Sequence, residues 1–132
     1  MEIHWFPDAL ADIDAIFNHI HADNPAAARE IISELRSTID LLRENPKLGR
    51  SGRWPRTREL VMPPYVVAYR EADAAITILA IYHSARMWPE SWLRAHIEEG
   101  LKQVKNGQFA SKEEVQRAFD SFGSEEPLEE PE

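Results

Sequence analysis

The chain has 132 residues, of which 43% are hydrophobic and 29% charged, and its formal net charge is −8. This length suits one domain with a real core, and the composition is that of an ordinary soluble protein. Because there is no cysteine, disulfides, thiol catalysis and thiolate metal sites are excluded.

The pattern of charge and hydropathy also bears on location and partners. No apolar run approaches the length of a bilayer span, and the N-terminus "MEIHWFPDAL" carries acids where a signal peptide carries basic residues. We therefore expect a cytoplasmic protein. The net negative charge argues at first against nucleic acid as a partner, since phosphate binding relies on Lys and Arg.

The first third of the chain predicts a strand and two amphipathic helices. "EIHWF" is a short strand candidate, and apolar residues then recur at helical spacing, at Leu10, Ile13, Phe17 and Ile20. Asn24 can cap a second helix that begins at Pro25, and its apolar stripe is Ala28, Ile31, Leu35, Ile39 and Leu42. The short connection predicts an antiparallel helix hairpin.

The middle of the chain predicts three strands. "TRELVM", "YVVAYR" and "AITILAIYH" are rich in Val, Ile and Tyr, and they are separated by Pro63-Pro64 and by the polar turn "EADA". Short connections imply an antiparallel meander. With the first strand, the chain reads as an α+β domain whose helix pair packs on one face of the sheet.

The composition changes after Leu93, so we divide the chain into a domain over 1–93, a helical tail over 94–123 and an acidic, disordered end over 124–132. The tail predicts a short helix with Ile97, Leu101 and Val104, then a break at Asn106-Gly107. A second helix can begin with a capping box made by Ser111 and Glu114. Its apolar stripe is Phe109, Val115, Ala118, Phe119 and Phe122.

His83 and Arg86 follow the last strand, where both can project from the end of the sheet. One interpretation is a metal-free phosphodiester-cleaving site, in which the imidazole moves a proton and the guanidinium stabilises the negative phosphorane. The alternative is a boundary histidine beside an arginine paired with a carboxylate, which is a common structural arrangement. The residues themselves leave both interpretations open.

A basic run lies between Arg43 and Arg58, where six Lys and Arg residues face the single acid Glu44. The sequence predicts a nucleic-acid-binding or target-binding surface made by Arg50, Arg53, Trp54, Arg56, Arg70 and Tyr82, with Trp54 as a stacking platform for a base. The alternative is a solvated basic loop that protects an exposed strand from aggregation. No phosphate-binding loop and no metal-ligand spacing occur in the sequence, so no cofactor is expected.

The chain resembles the toxins of the RelE/ParE superfamily, which belong to type II toxin–antitoxin modules and are often called plasmid stabilisation proteins. The resemblance rests on the order of strands and helices and on the segments "TRELVMPPYVVAYR" and "ILAIYHSARMWP". The resemblance implies a compact toxin neutralised by an antitoxin. RelE-like members cut mRNA without a metal, whereas ParE-like members inhibit DNA gyrase. The match implies that Arg58, His83 and Arg86 are catalytic, and our first hypothesis is metal-independent mRNA cleavage, with gyrase inhibition or an inactive interaction module as alternatives.

The tail segment "HIEEGLKQVKNGQFASKEEVQRAF" resembles the toxin-binding end of an antitoxin. The resemblance implies that it binds the toxin face in cis or in trans, through Leu101, Val104, Phe109, Val115, Phe119 and Phe122. Its charge complements the basic run, so it can lie over that face in cis or reach a second copy in trans. A plain helical extension that stabilises the domain, and a homodimer, stay open as alternatives.

Overall fold

The computed structural model describes residues 1–52, 56–72, 74–84, 95, 98–99, 102 and 109–123. The described elements are β1 (Glu2–Trp5), α1 (Pro7–His21), α2 (Pro25–Asp40), β2 (Arg50–Ser51), β3 (Arg58–Met62), β4 (Tyr65–Ala72), β5 (Ala75–His83) and α3 (Lys112–Gly123), with a short 3₁₀ turn at Leu41–Arg43 after α2. The fold is therefore α+β with a C-terminal helix, as predicted.

The sheet has five strands in the order β1-β5-β4-β3-β2. The β3-β4-β5 meander is antiparallel as predicted, and β1 joins it in parallel with β5. The sequence did not predict β2, which has only two residues and pairs with β3. Consequently β1 and β2 form opposite edges of the sheet.

The second helix begins where the sequence predicts, at Pro25. The Asn24 side chain accepts a hydrogen bond from the Ala27 amide at 3.1 Å, which satisfies a free donor at the start of α2. The stripe of α2 is shifted at one position, because Ile32 is buried and Ile31 is only partly buried. Both helices pack on one face of the sheet, with Ile13, Phe17, Leu35 and Ile39 in the core.

The helix-covered face of the sheet includes Tyr65, Val67 and Tyr69 from β4, which alternate along the strand as side chains of one face do. β5 has an extra residue between the pairs Ala68–Ala80 and Tyr69–Ile78. A bulge of this kind changes which residues share a face. It places Ile81, and by alternation His83, on the same face as Ile76 and Ile78.

Candidate functional site

A short loop before β2 is fastened to the sheet by Tyr69. The Tyr69 hydroxyl donates to the Pro46 carbonyl and accepts from the Gly49 amide, each at 2.8 Å. The ring is fully buried, and burial raises the pKa of its hydroxyl. One side chain in the core therefore fixes both ends of the segment Pro46–Gly49.

Arg58 supports the same loop from β3. Its guanidinium Nη1 donates to the Gly49 carbonyl at 2.7 Å and lies 3.5 Å from the Lys47 carbonyl. Arg58 pairs with Tyr69 across the strands, so the two side chains act on one loop from one face. The family resemblance implies a catalytic role for Arg58, whereas its hydrogen-bond partners in the structure are backbone carbonyls.

Other cations of the basic run have carboxylate partners. Arg50 donates to one carboxylate oxygen of Glu59 through Nη2 at 3.0 Å and Nε at 3.3 Å, and Glu59 is buried. Lys47 Nζ lies 3.3 Å from Glu71. Arg56 is exposed, in a left-handed turn with φ of 64°. The basic run is thus partly neutralised by acids that are distant in sequence.

His83 lies at the end of β5, opposite Tyr65. The two rings meet edge to face with centroids 5.3 Å apart, and Tyr65 is buried while His83 is half-buried. This matches the predicted position at the end of the last strand. The residue is held beside a phenol ring of the core.

The register separates His83 from Arg58. Arg58 pairs with Tyr69 and His83 pairs with Tyr65, and these two tyrosines are four residues apart on β4. At about 3.3 Å per residue, that separation is about 13 Å along the strand. The structure therefore does not bring these two predicted catalytic residues together.

The remaining predicted residues are distributed as follows. Five of them lie outside the described residues, namely Arg53, Trp54, Arg86, Leu101 and Val104. Arg70 pairs with Thr77 on the opposite face from the helices, and its Nε is buried without a hydrogen bond to any described residue. Tyr82 pairs with Val66, four residues from Arg70 along β4. These two side chains are therefore also about 13 Å apart along the strand.

Asp12 is a buried titratable residue that the sequence pattern did not indicate as part of a site. Its carboxylate, on α1, accepts a hydrogen bond from the Ile81 amide of β5 at 3.0 Å. Burial raises the pKa of Asp12 to about 7, the charge of Asp8 adds to this, and the hydrogen bond works in the opposite direction. The only sequence signal was an acid one residue before the buried Ile13, and this signal also suits a favourable position near the start of a helix.

The tail lies against the other edge of the sheet. Phe119 and Phe122 of α3 are buried in the same core as Trp5 and Phe17. Phe109 precedes the helix, with its ring centroid 4.6 Å from that of His4. These contacts are with β1, α1 and α2, whereas Arg50 and Arg58 lie on β2 and β3. Within this chain, residues 109–123 therefore lie away from the basic run.

Two features are absent from the described part of the chain, namely membrane-spanning helices and clusters of metal-binding side chains. None of its helices is long and apolar enough to cross a membrane. Nor do three or more of its His, Asp and Glu side chains group in a way that could hold a metal ion.

This α+β architecture, with a helix hairpin on a small sheet, is shared with a chain of a solved ParDE system. Residues 3–88 match the family model described as the ParE toxin of the type II toxin–antitoxin system, parDE. The chain therefore belongs to the ParE toxin family.

Individual relatives agree with this assignment. Y4kP of Sinorhizobium fredii, which is named as a candidate toxin, is 37% identical over 90 residues, covering 67% of this chain and 93% of that protein. Toxin RelE2 of Caulobacter vibrioides is 36% identical over 86 residues, covering 65% and 98%. A solved chromosomal ParDE TA system from P. aeruginosa has a chain that is 27% identical, with a TM-score of 0.59, covering 63% of this chain and 95% of that one.

Proposed function

We propose that this chain is a type II toxin that stops growth by binding a protein target, DNA gyrase being the target that the ParE resemblance implies, rather than by cutting RNA. The observation that carries the proposal is the position of Arg58. Its guanidinium binds the Gly49 carbonyl at 2.7 Å. It is also about 13 Å, measured along the strands, from the end of the sheet where His83 lies.

Phosphodiester cleavage without a metal needs a proton-transfer group and a cation within reach of one phosphate. For Arg58 to bind a phosphate beside His83, it would have to leave the loop carbonyl and extend along the sheet. That movement would leave the Gly49 carbonyl without its charged donor, at a cost of about 1–3 kcal/mol. The described residues thus favour a structural role for Arg58.

The antitoxin is the second part of the proposal. The chain from P. aeruginosa belongs to a system named ParDE, in which a toxin and a second component occur together. We propose that this chain is likewise held inactive by an antitoxin. Gyrase inhibition and antitoxin binding both require an accessible protein-binding surface. The basic run exposes Leu48 and Arg56 to such a partner.

The experiment expresses the full chain in bacteria without a partner gene and follows growth, plasmid supercoiling and transcript integrity together. A variant that loosens the tail, Phe119→Ala with Phe122→Ala, is measured alongside, so that a masked toxin is not scored as inactive. We expect growth arrest with relaxed plasmid, and transcripts that are intact when growth stops.

His83→Ala is the matched variant for the chemistry. We expect it to arrest growth like the parent, because imidazole proton transfer has no part in binding a protein target. Transcripts cut at discrete sites by the parent and left whole by His83→Ala would overturn the proposal and establish the ribonuclease.

A further inference from the structure

The surface beneath α3 is a shaped apolar site. Phe122 stacks on Phe17 with ring centroids 4.6 Å apart, and Phe119 meets Trp5 edge to face at 5.5 Å. All four rings are at least 94% buried. Burying a phenylalanine contributes about 1.5–3 kcal/mol, so the two rings dominate the attachment of the helix.

Polar contacts surround these rings and set the register of the helix. The Arg36 guanidinium lies 4.7 Å from the Phe119 ring centroid and donates to the Gln116 side chain at 3.2 Å. Lys112 Nζ pairs with Glu2 at 3.2 Å. Each contact joins α3 to β1 or to α2, and each is specific to one position along the helix.

The segment also begins with its own structural signals. The Ala110 amide donates to the Trp5 carbonyl at 2.8 Å, in an antiparallel bridge on the free edge of β1. Ser111 then accepts from the Glu114 amide at 3.0 Å, and the Glu114 carboxylate accepts from the Ser111 amide at 2.8 Å. This capping box starts the helix without help from the rest of the chain.

The two named relatives have no room for such a segment outside their aligned part. The family match ends at residue 88, and the aligned 86–90 residues already fill 93–98% of the two named relatives. The fold to which α3 attaches is therefore made in proteins that lack α3. The α3 helix therefore resembles a bound peptide ligand in two respects. It carries its own capping box, and it attaches to a fold that forms without it.

We infer that the surface formed by Trp5, Phe17 and Arg36 is an exchangeable helix-docking site, which holds residues 109–123 of this chain and accepts the same segment in trans. The occupant it fits is an amphipathic helix with two phenylalanines three residues apart, preceded by a short extended stretch and a capping box. A partner helix of that chemistry has to displace α3 before it can bind. This inference does not depend on which target the toxin has.

The test inserts a protease recognition sequence between Asn106 and Gly107 of the full chain. After cleavage, a fluorescently labelled peptide of residues 109–123 is titrated in and its anisotropy is followed. We expect the cleaved protein to bind the peptide at least about tenfold more tightly than the uncut protein, because the covalent tether keeps the resident segment at millimolar effective concentration.

Two peptides serve as controls. A peptide with Phe119→Ala and Phe122→Ala is expected to bind at least about 100-fold more weakly, since each lost ring costs more than a factor of ten. Glu113→Gln, at an exposed position of α3, is expected to change binding by less than about twofold. The inference is overturned if the cleaved protein unfolds, if it takes up no peptide, or if the doubly substituted peptide binds as well as the parent. Each of these readouts is independent of gyrase and of RNA.

Discussion

The Tyr69 hydroxyl lies 2.8 Å from both the Gly49 amide and the Pro46 carbonyl, so a single buried side chain satisfies a donor and an acceptor of one loop. Gly49 packs so closely that a Cβ there would be 2.7 Å from Cε1 of Tyr69 and 2.9 Å from the Glu59 carbonyl. The loop is therefore fixed by both hydrogen bonding and close packing, and it places the exposed Leu48 at a defined position.

Tyr69→Phe removes the hydroxyl and leaves both loop groups without their partner. We expect the free energy of unfolding to fall by about 1–3 kcal/mol, the usual cost of an unsatisfied buried polar group. Denaturant unfolding measures this loss, and hydrogen exchange at the Gly49 amide reports where it arises. An unchanged exchange rate at Gly49 would contradict the proposed role of the hydroxyl.

Arg58→Gln tests whether that arginine is structural. Because Arg58 and Tyr69 support one loop, we expect the two single variants to lose stability and growth arrest in parallel. We also expect the double variant to lose less than the sum, as residues in one network do. If Arg58→Gln abolished growth arrest at normal stability while Tyr69→Phe stayed toxic, Arg58 would be a functional ligand instead.

Asp12→Asn tests the buried carboxyl. The pKa of Asp12 is about 7 in the folded chain, against an ordinary value of 3.8, so the folded chain binds this proton more strongly than the unfolded chain. The stability linked to it is complete below about pH 4 and is lost as the pH rises through 7. Asparagine keeps an oxygen that can accept from the Ile81 amide and carries no charge.

We therefore expect Asp12→Asn and the parent to unfold at similar denaturant concentrations at pH 4. At pH 8 we expect the variant to be more stable by about 1–2 kcal/mol, a value reduced because the carboxyl is only partly buried. Chemical unfolding at several pH values measures the difference. A stability difference that is the same at pH 4 and pH 8 would show that Asp12 titrates normally.

Phe122→Ala tests the attachment of the tail. The side chain is buried against Phe17, and we expect a loss of about 3–4 kcal/mol, within the range for a phenylalanine truncated in a core. Glu113→Gln on the exposed face of the same helix is the control, with an expected change below about 0.5 kcal/mol. Equal, small effects of the two substitutions would mean that α3 is not held by its aromatic face.

Local signals in the sequence predicted much of the fold. The Asn24 cap, the Ser111–Glu114 capping box and the strands around Pro63-Pro64 each depend on neighbours within a few residues. The parallel pairing of β1 with β5 and the two-residue β2 depend on distant partners. Periodicity cannot reveal such partners, since it reports only which face of an element is apolar.

The site was harder to predict than the fold. A run of arginines shows positive charge, but it does not show that Arg50 pairs with Glu59 or that Arg58 binds the Gly49 carbonyl. The bulge at Leu79, which decides the face on which His83 lies, leaves no mark in a strand that is apolar at nearly every position. Charge complementarity likewise pointed to the basic run as the partner of the tail, whereas within this chain the two phenylalanines pack on Trp5 and Phe17.

The most direct test of a toxin that binds rather than cuts uses purified components. The chain, and the Phe119→Ala with Phe122→Ala variant, are titrated in parallel into a DNA gyrase supercoiling reaction and into ribosomes translating a defined mRNA. We expect inhibition of supercoiling, with the mRNA at full length at the same concentrations. Specific cleavage of the mRNA, with supercoiling unaffected, would contradict it.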